Sequence, residues 1–348
     1  MPRTKQARRP RALDAALATY PLALVGLTLL SLAAPQRAGA VALAQVFAHF
    51  LFAPALLLAP LALRRGMFLL RTALAAAAAV FLLVYPPALN LGAPAPPPAA
   101  PRLRVLSWNV FVGGVSAGAL RDAIAAHEPD VVLLQELLWE EIAGDPALAA
   151  RYPHQLLRPG QTAPSLAILS RHPIVEWGVP ELPGRGWDME RVVWARLDLG
   201  GRTVAVVNAH PIPPRTGGEG CSPLRCYNTG PRDAQIAEMR AFVGELGRRT
   251  GDPVLLAGDM NVTEREEAYF DLSAGLADLH RAAGAGFGAS WRPAWLGLPA
   301  GLLRIDYILV GEGLRPLGLA TDCAPRGSDH CLLVGEVALE GAPAAGGG

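Results

Sequence analysis

Asp329 and His330 stand side by side in the stretch RGSDHCLLV (326–334), immediately before an apolar run. An isolated acid–imidazole pair at a strand mouth usually caps a turn, but this chain repeats the pattern. Asn109 follows RLRVLSW, Glu136 follows DVVLLQ, and Asn208 with His210 follows RTVAVV. Asp259 and Asn261 follow PVLLAG, and Asp306 opens DYILV. The set contains carboxylates, amides and two imidazoles, with no cysteine and no evident serine nucleophile. Such groups suit a hard divalent cation. Mg²⁺, or Mn²⁺ in its place, takes oxygen ligands and is usually held by one or two carboxylates plus substrate phosphate. The chemistry implied is metal-assisted attack of water on a phosphoester.

The elements that must position these residues can be read from the same runs. RLRVLSWNV, DVVLLQEL, SLAILSRHPI, PVLLAGDMNV, RIDYILV and CLLVGEVAL read as strands, and VVWARLDLG with RTVAVVNAHPI as a hairpin turning at Gly200-Gly201. Their continuous apolar character implies strands covered on both faces. AGALRDAIAAH and RDAQIAEMRAFVGELGRR have helical spacing, the first ending before Glu128-Pro129. The expected fold is therefore α/β: two packed β-sheets flanked by helices, a four-layer sandwich, over residues 102–340. Strand ends along one edge of such a sandwich can converge.

The front of the chain has a different character. Residues 1–100 carry nine basic residues against one acid, Asp14, whereas residues 101–348 carry 22 arginines, no lysine and 29 acids. No charge occurs between Ala15 and Gln36 or between Ala38 and Leu63. Each window exceeds the ~20 apolar residues that span a hydrocarbon core. A third window, Met67 to Leu91, contains Arg71 near its start and Pro86-Pro87 near its end. The sequence thus predicts an all-α membrane region over 1–92 with about three spans, set in a lipid bilayer. A Pro/Ala linker follows at 93–101, and a disordered tail is expected at 341–348. Basic residues cluster before the first span and around Arg64, Arg65 and Arg71, so the positive-inside rule puts the N-terminus in the cytoplasm and the domain after the third span outside it. Cysteine usage agrees with export: Cys221, Cys226, Cys323 and Cys331 all lie beyond the membrane region. CSPLRC reads as a loop closed by one disulfide, and Cys323 with Cys331 could flank a hairpin or remain as free thiols.

LSWNV, LLQEL, NAHP, LAGDMN, RIDYIL and GSDH occur here in the order typical of the endonuclease/exonuclease/phosphatase superfamily, which the chain resembles over about residues 102–339. The resemblance implies Mg²⁺-dependent hydrolysis of phosphoesters and a role for each matching residue. Glu136 corresponds to the main metal ligand, with Asn109 beside it and Asp329 at the metal edge. Asp259 would orient or deprotonate the attacking water, and Asn261 would orient it or the phosphate. His330 would contact the scissile phosphate with Asp306 as its carboxylate partner. His210 resembles the second imidazole of the DNase I-like and sphingomyelinase-like branches, a candidate for protonating the leaving group or stabilising the phosphate. Departures also stand out: NVFVGG is apolar where DNA-repair members carry a polar-Gly pair, and a long insertion, PIPPRTGGEGCSPLRCYNTGPRD, follows His210.

Plain structural roles compete at several positions. Asn109 and Asn208 could satisfy backbone groups, Asp306 could pair with Arg304, and Arg191 could face phosphate or simply edge a strand. His172 reads as a turn residue, Trp291 as loop packing, and His49, His127, His154 and His280 as bystanders. Arg171, Arg191, Arg215 and Arg232 could build a local positive rim. The expected function is a membrane-anchored phosphoesterase acting on a small or lipid phosphodiester, with an extracytoplasmic DNase I-like nuclease acting on nucleic acid as the rival. A catalytically inactive exported interaction module is the alternative of a different class.

Overall fold

The computed structural model describes residues 8–65, 67–89, 100–138, 142–157, 165–180, 191–217 and 220–340. The chain divides into two compact units, residues 1–86 with 215–229 and residues 87–214 with 230–348. Most of the expected linker and the whole of the expected tail lie outside the described residues.

The described residues of the larger unit form twelve strands: β1 (Arg102–Asn109), β2 (Val131–Leu137), β3 (His154–Leu156), β4 (Ser165–Ser170), β5 (Ile174–Gly178), β6 (Val192–Asp198), β7 (Thr203–Ala209), β8 (Val254–Asp259), β9 (Ala277–Asp278), β10 (Asp306–Val310), β11 (Leu314–Asp322) and β12 (Leu332–Leu339). They form two six-stranded sheets, ordered β11-β12-β1-β2-β4-β3 and β5-β6-β7-β8-β10-β9. Both are mixed: β1–β2 and β7–β8 pair parallel, the remaining pairs antiparallel.

Alternation along each strand explains the apolar runs. Val131 and Leu133 of β2 join the core between the sheets, while Val132 and Leu134 face outward, as a side-chain period of two requires. Leu120 and Ile124 of the helix Ala117–His127 cover the outer face of the first sheet. Ile236, Met239 and Val243 of the helix Gly230–Thr250 cover that of the second. This is the four-layer sandwich expected from sequence. Ser116 opens the first of these helices by accepting a bond from the Ala119 amide at 3.2 Å, and Glu128 closes it in the left-handed conformation ahead of Pro129. The β6–β7 hairpin turns at Gly200 and Gly201, both at positive φ, with their amides donating to Asp198 Oδ1.

One expected strand is two. SLAILSRHPI ends as β4 at Ser170, whose hydroxyl bonds the His172 amide and carbonyl. Pro173 then offers no N–H to continue the ladder, and β5 continues in the other sheet.

In the smaller unit the helix Arg8–Ala33 fills the first apolar window, and its Arg11–Ala33 stretch, of mean hydropathy 1.8, is long and apolar enough to cross a membrane. The second window is broken into the helices Gly39–Val46, Ala48–Leu51 and Ala53–Leu56, bent by 80°. The third holds the 17-residue helix Phe68–Val84. The lone acid, Asp14, caps this last helix by accepting from the amides of Leu69 and Leu70 at 3.1 and 2.9 Å. Arg71 donates to the carbonyls of Ala62 and Leu63, completing the end of the helix Ala59–Arg65.

Residues 215–229 also belong to this unit. Cys221 and Cys226 are disulfide-bonded. The Gly39 amide donates to Tyr227 O at 2.8 Å, and the Thr229 amide to Arg37 O at 2.9 Å. Ala38, Asn228 and Arg215 thereby form a short antiparallel ladder.

Candidate active site

Strand register brings the polar residues together. Asp306 lies opposite Asp259 across β10–β8, and Ala209 lies beside Gly258 across β7–β8, which sets His210 next to Asp259. Gly258 is required here: at φ +141 it passes so close to β7 that a Cβ would stand 1.9 Å from Ala209 O. In the other sheet β1–β2 pairing puts Asn109 beside Gln135, hence near Glu136. Asp329 and His330 arrive at the start of β12.

The two sheets meet at one polar cluster. The Asn109 amide NH₂ donates to both Glu136 Oε1 and Asp259 Oδ2, at 3.0 Å each. Its Oδ1 accepts from the Phe111 amide at 3.0 Å, so the amide nitrogen faces the carboxylates. His210 Nε2 lies 3.6 Å from Glu136 Oε1 and 3.5 Å from Asp259 Oδ2. His330 Nδ1 sits 2.9 Å from Asp306 Oδ2, which leaves Nε2 facing Asp259 at 3.6 Å and Asp329 at 3.8 Å. The Asn261 amide donates to Asp259 Oδ1 at 2.9 Å, and its side chain to Pro211 O at 3.0 Å. All eight residues to which the family resemblance assigns a role lie in this cluster.

Charge is distributed unevenly. Burial works against the His330 imidazolium, but the Asp306 and Asp259 carboxylates outweigh it and push its pKa up to about 10. Burial pushes His210 down to about 4, against the pull of Glu136. Asp259 is pushed up to about 7 by burial, partly opposed by His330. Two similar side chains are thus pushed in opposite directions, because Asp306 bonds only one of them.

The donor set fits a divalent cation. Glu136, Asp259 and His210 converge within 4.8 Å of one another, as do Asp259, Asp306 and His330. Asp329 Oδ2 accepts from the Trp291 indole at 3.1 Å, while its Oδ1 is buried without a hydrogen-bond partner. A buried carboxylate oxygen left open beside other carboxylates is the arrangement a hard cation completes. Glu136 and Asn261 are both held at positive φ, a conformation that ordinary residues adopt mainly where the surroundings impose it.

Residues not given a site role from sequence complete the site. Ser290 donates to Asp306 Oδ2, and Ser328 both donates to Asn109 O and accepts from the His330 amide. Trp291 anchors Asp329 instead of merely packing a loop. The disulfide Cys323–Cys331 ends one residue after His330, closing the question of free thiols. Asn208 takes its structural role, donating to Leu134 O and Ala167 O and accepting from Gln135. Arg304 pairs with Asp278 and Glu264, leaving Asp306 to His330.

The four-arginine rim does not assemble. Arg171 pairs with Asp130 at the far end of β2, Arg232 is buried against Glu266 and Asp233, and Arg215 belongs to the smaller unit. Arg191 does reach the site: it is buried, donates to His210 O at 3.4 Å, and is lowered by burial against the pull of Glu136. Of the remaining histidines, His127 pairs with Asp322 and His280 with Gly286 O.

Residues 106–330 match the family described as Endonuclease/Exonuclease/phosphatase family. The chain is similar in structure to an endonuclease/exonuclease/phosphatase family protein from Bacteroides thetaiotaomicron (17% identity, 69% of this chain and 99% of that one, TM-score 0.54). It is also similar to truncated Caenorhabditis elegans TDP2 (19%, 69% and 98%, TM-score 0.52). A third neighbour is the human Nocturnin catalytic domain with bound sulfate anion (17%, 69% and 96%, TM-score 0.51). No curated protein matches the sequence.

Proposed function

The chain belongs to the endonuclease/exonuclease/phosphatase family, and from that membership we propose that it is a membrane-anchored, Mg²⁺-dependent phosphoesterase whose active site lies outside the cytoplasm. The observation that carries the chemistry is the convergence of Glu136, Asp259 and Asp329 on two imidazoles whose pKa values their surroundings push in opposite directions. Glu136 and Asp329 would hold the cation, and Asn109, expected from sequence as a further ligand, instead turns its NH₂ to brace Glu136; when bound, the cation would supply positive charge to the phosphoryl oxygens.

The chain's own residues account for the rest. Asp259, fixed by the Asn261 amide, accepts a proton from the attacking water, and a carboxylate tuned toward neutrality suits that task. The water oxygen bonds to phosphorus, the ester P–O bond breaks, and the leaving oxygen takes a proton from solvent. His330, kept cationic by Asp306, directs Nε2–H at the negative charge that develops on the phosphoryl group. His210, kept neutral, is fitted to donate a hydrogen bond instead of a proton. The complete polar set argues against an inactive module, in which loss of at least one of these groups is expected.

The anchored, outward placement rests on the Arg11–Ala33 helix and the basic residues that precede it.

Hydrolysis of bis-p-nitrophenyl phosphate by the detergent-solubilised full chain tests the chemistry. EDTA should abolish turnover, and Mg²⁺ or Mn²⁺ should restore it. Asp259→Asn should lower kcat by roughly two orders of magnitude, and Glu136→Gln should raise the Mg²⁺ concentration needed for half-maximal rate. Turnover indifferent to EDTA, or wild-type rates in both variants, would overturn the assignment.

A further inference from the structure

Among the described non-glycine residues, Phe111, Glu128, Glu136 and Asn261 have positive φ. Glu136 and Asn261 belong to the site, and Glu128 ends a helix. Phe111 has neither role. Its left-handed backbone, held by Asn109 Oδ1, turns an aromatic ring outward, 41% exposed, with Val112 beside it at 42%. The Val112 amide lies 3.5 Å from Glu136 Oε2, so these apolar side chains stand at the lip of the site.

A second apolar feature rises on a neighbouring loop. The 3₁₀ turn Ala294–Leu296 presents Trp295 at 83% exposure. This loop borders the cleft that contains Asp329. The two lips are joined through the Asp329 loop: Gly327 passes so close to Gly114 that a Cβ would stand 1.9 Å from its carbonyl oxygen. Residues 110–120 carry no charge, and residues 282–303 carry only Arg292, which turns inward to donate to Leu298 O.

This lip is ill-suited to a polyanion. Nucleic-acid affinity comes chiefly from cations neutralising successive phosphates, and of the four candidate arginines only Arg191 and Arg232 touch site residues, both buried and donating to backbone carbonyls. Exposed Trp and Phe without nearby charge suit the headgroup level of a bilayer. We propose that the Phe111–Val112 and Trp295–Leu296 lips seat on a lipid surface and that the substrate is a lipid phosphodiester whose headgroup phosphate enters at Asp329. The proposal rests on the phosphoesterase reading above. A chain anchored in the same bilayer meets such a substrate at high effective concentration.

The test uses the full chain with Mg²⁺ on three probes: phosphatidylcholine and phosphatidylglycerol in mixed micelles, bis-p-nitrophenyl phosphate, and duplex DNA. At least one lipid should be cleaved with a kcat/KM ten or more times that for duplex DNA. The double variant Trp295→Ser, Leu296→Ser should lower the ratio of lipid to soluble-diester turnover at least tenfold. A ratio that does not move, faster cleavage of duplex DNA, or turnover of the soluble diester with neither lipid would each overturn the proposal. Failure on all three probes would instead remove the phosphoesterase reading on which it depends.

Discussion

At the scale of single residues, the site is governed by which imidazole has a carboxylate beside it. Asp306 reaches His330 and is itself held by Ser290, while His210 faces carboxylates only at 3.5 Å and beyond. Asp306→Asn should therefore lower kcat by roughly ten- to a hundredfold, the scale on which a charged donor to a developing oxyanion acts. Ser290→Ala should cost much less, because His330 keeps its partner. Steady-state kinetics on a soluble diester check both, and equal losses would show that Ser290 does more than brace Asp306. The strand-mouth residues were legible because each interrupts an apolar run, a signal that one sequence carries. Ser290 and Trp291 were not, since they reach Asp306 and Asp329 from a loop with no period and no fixed spacing to their partners. The arginine rim failed for a related reason: a residue list says nothing about which end of a strand a side chain serves.

Among the elements, β9, the helix Leu279–Ala283 and the loops after β8 and before β10 are tied by a buried ion network. Arg304 bonds Asp278 and Glu264, and Arg281 also reaches Glu264. Breaking one partner of such a network leaves an uncompensated buried charge, so Asp278→Asn should destabilise the fold by about 3–5 kcal/mol in denaturant unfolding. Burial pushes Glu264 up, but the surrounding Arg304, Arg281 and Arg265 outweigh it and hold its pKa below the ordinary 4.5. A depressed carboxylate stabilises the fold above its unfolded pKa and loses that contribution as pH falls through the folded one. Tm should therefore fall on acidification below about pH 4.5, and Glu264→Gln should flatten that fall; an unchanged slope would exclude Glu264 as a source. The buried strands were readable from continuous apolar runs. β11 was not, because Pro316 and Gly318 interrupt an edge strand that bulges there, and neither residue belongs to an ordinary strand pattern.

For the whole molecule, the contrast between a basic apolar front and an acidic back marks the division of the chain, yet the composition does not show how the second apolar window bends. Nor does it show that residues from the middle of the catalytic segment belong with the front. Orientation can be measured directly. A reporter active only outside the cytoplasm should work when fused after Gly348 and fail after Arg65, and the reverse pattern would invert the arrangement proposed here.

The Arg215–Thr229 insertion has a further consequence for shedding. A protease that cut the chain between residues 90 and 100 would sever its covalent link to the front helices without freeing the enzyme. The insertion would still be held to the Arg37–Gly39 turn by its backbone ladder. A nicked chain should then sediment with membranes, whereas the same nick in a chain lacking residues 216–228 should release the catalytic fragment into the supernatant.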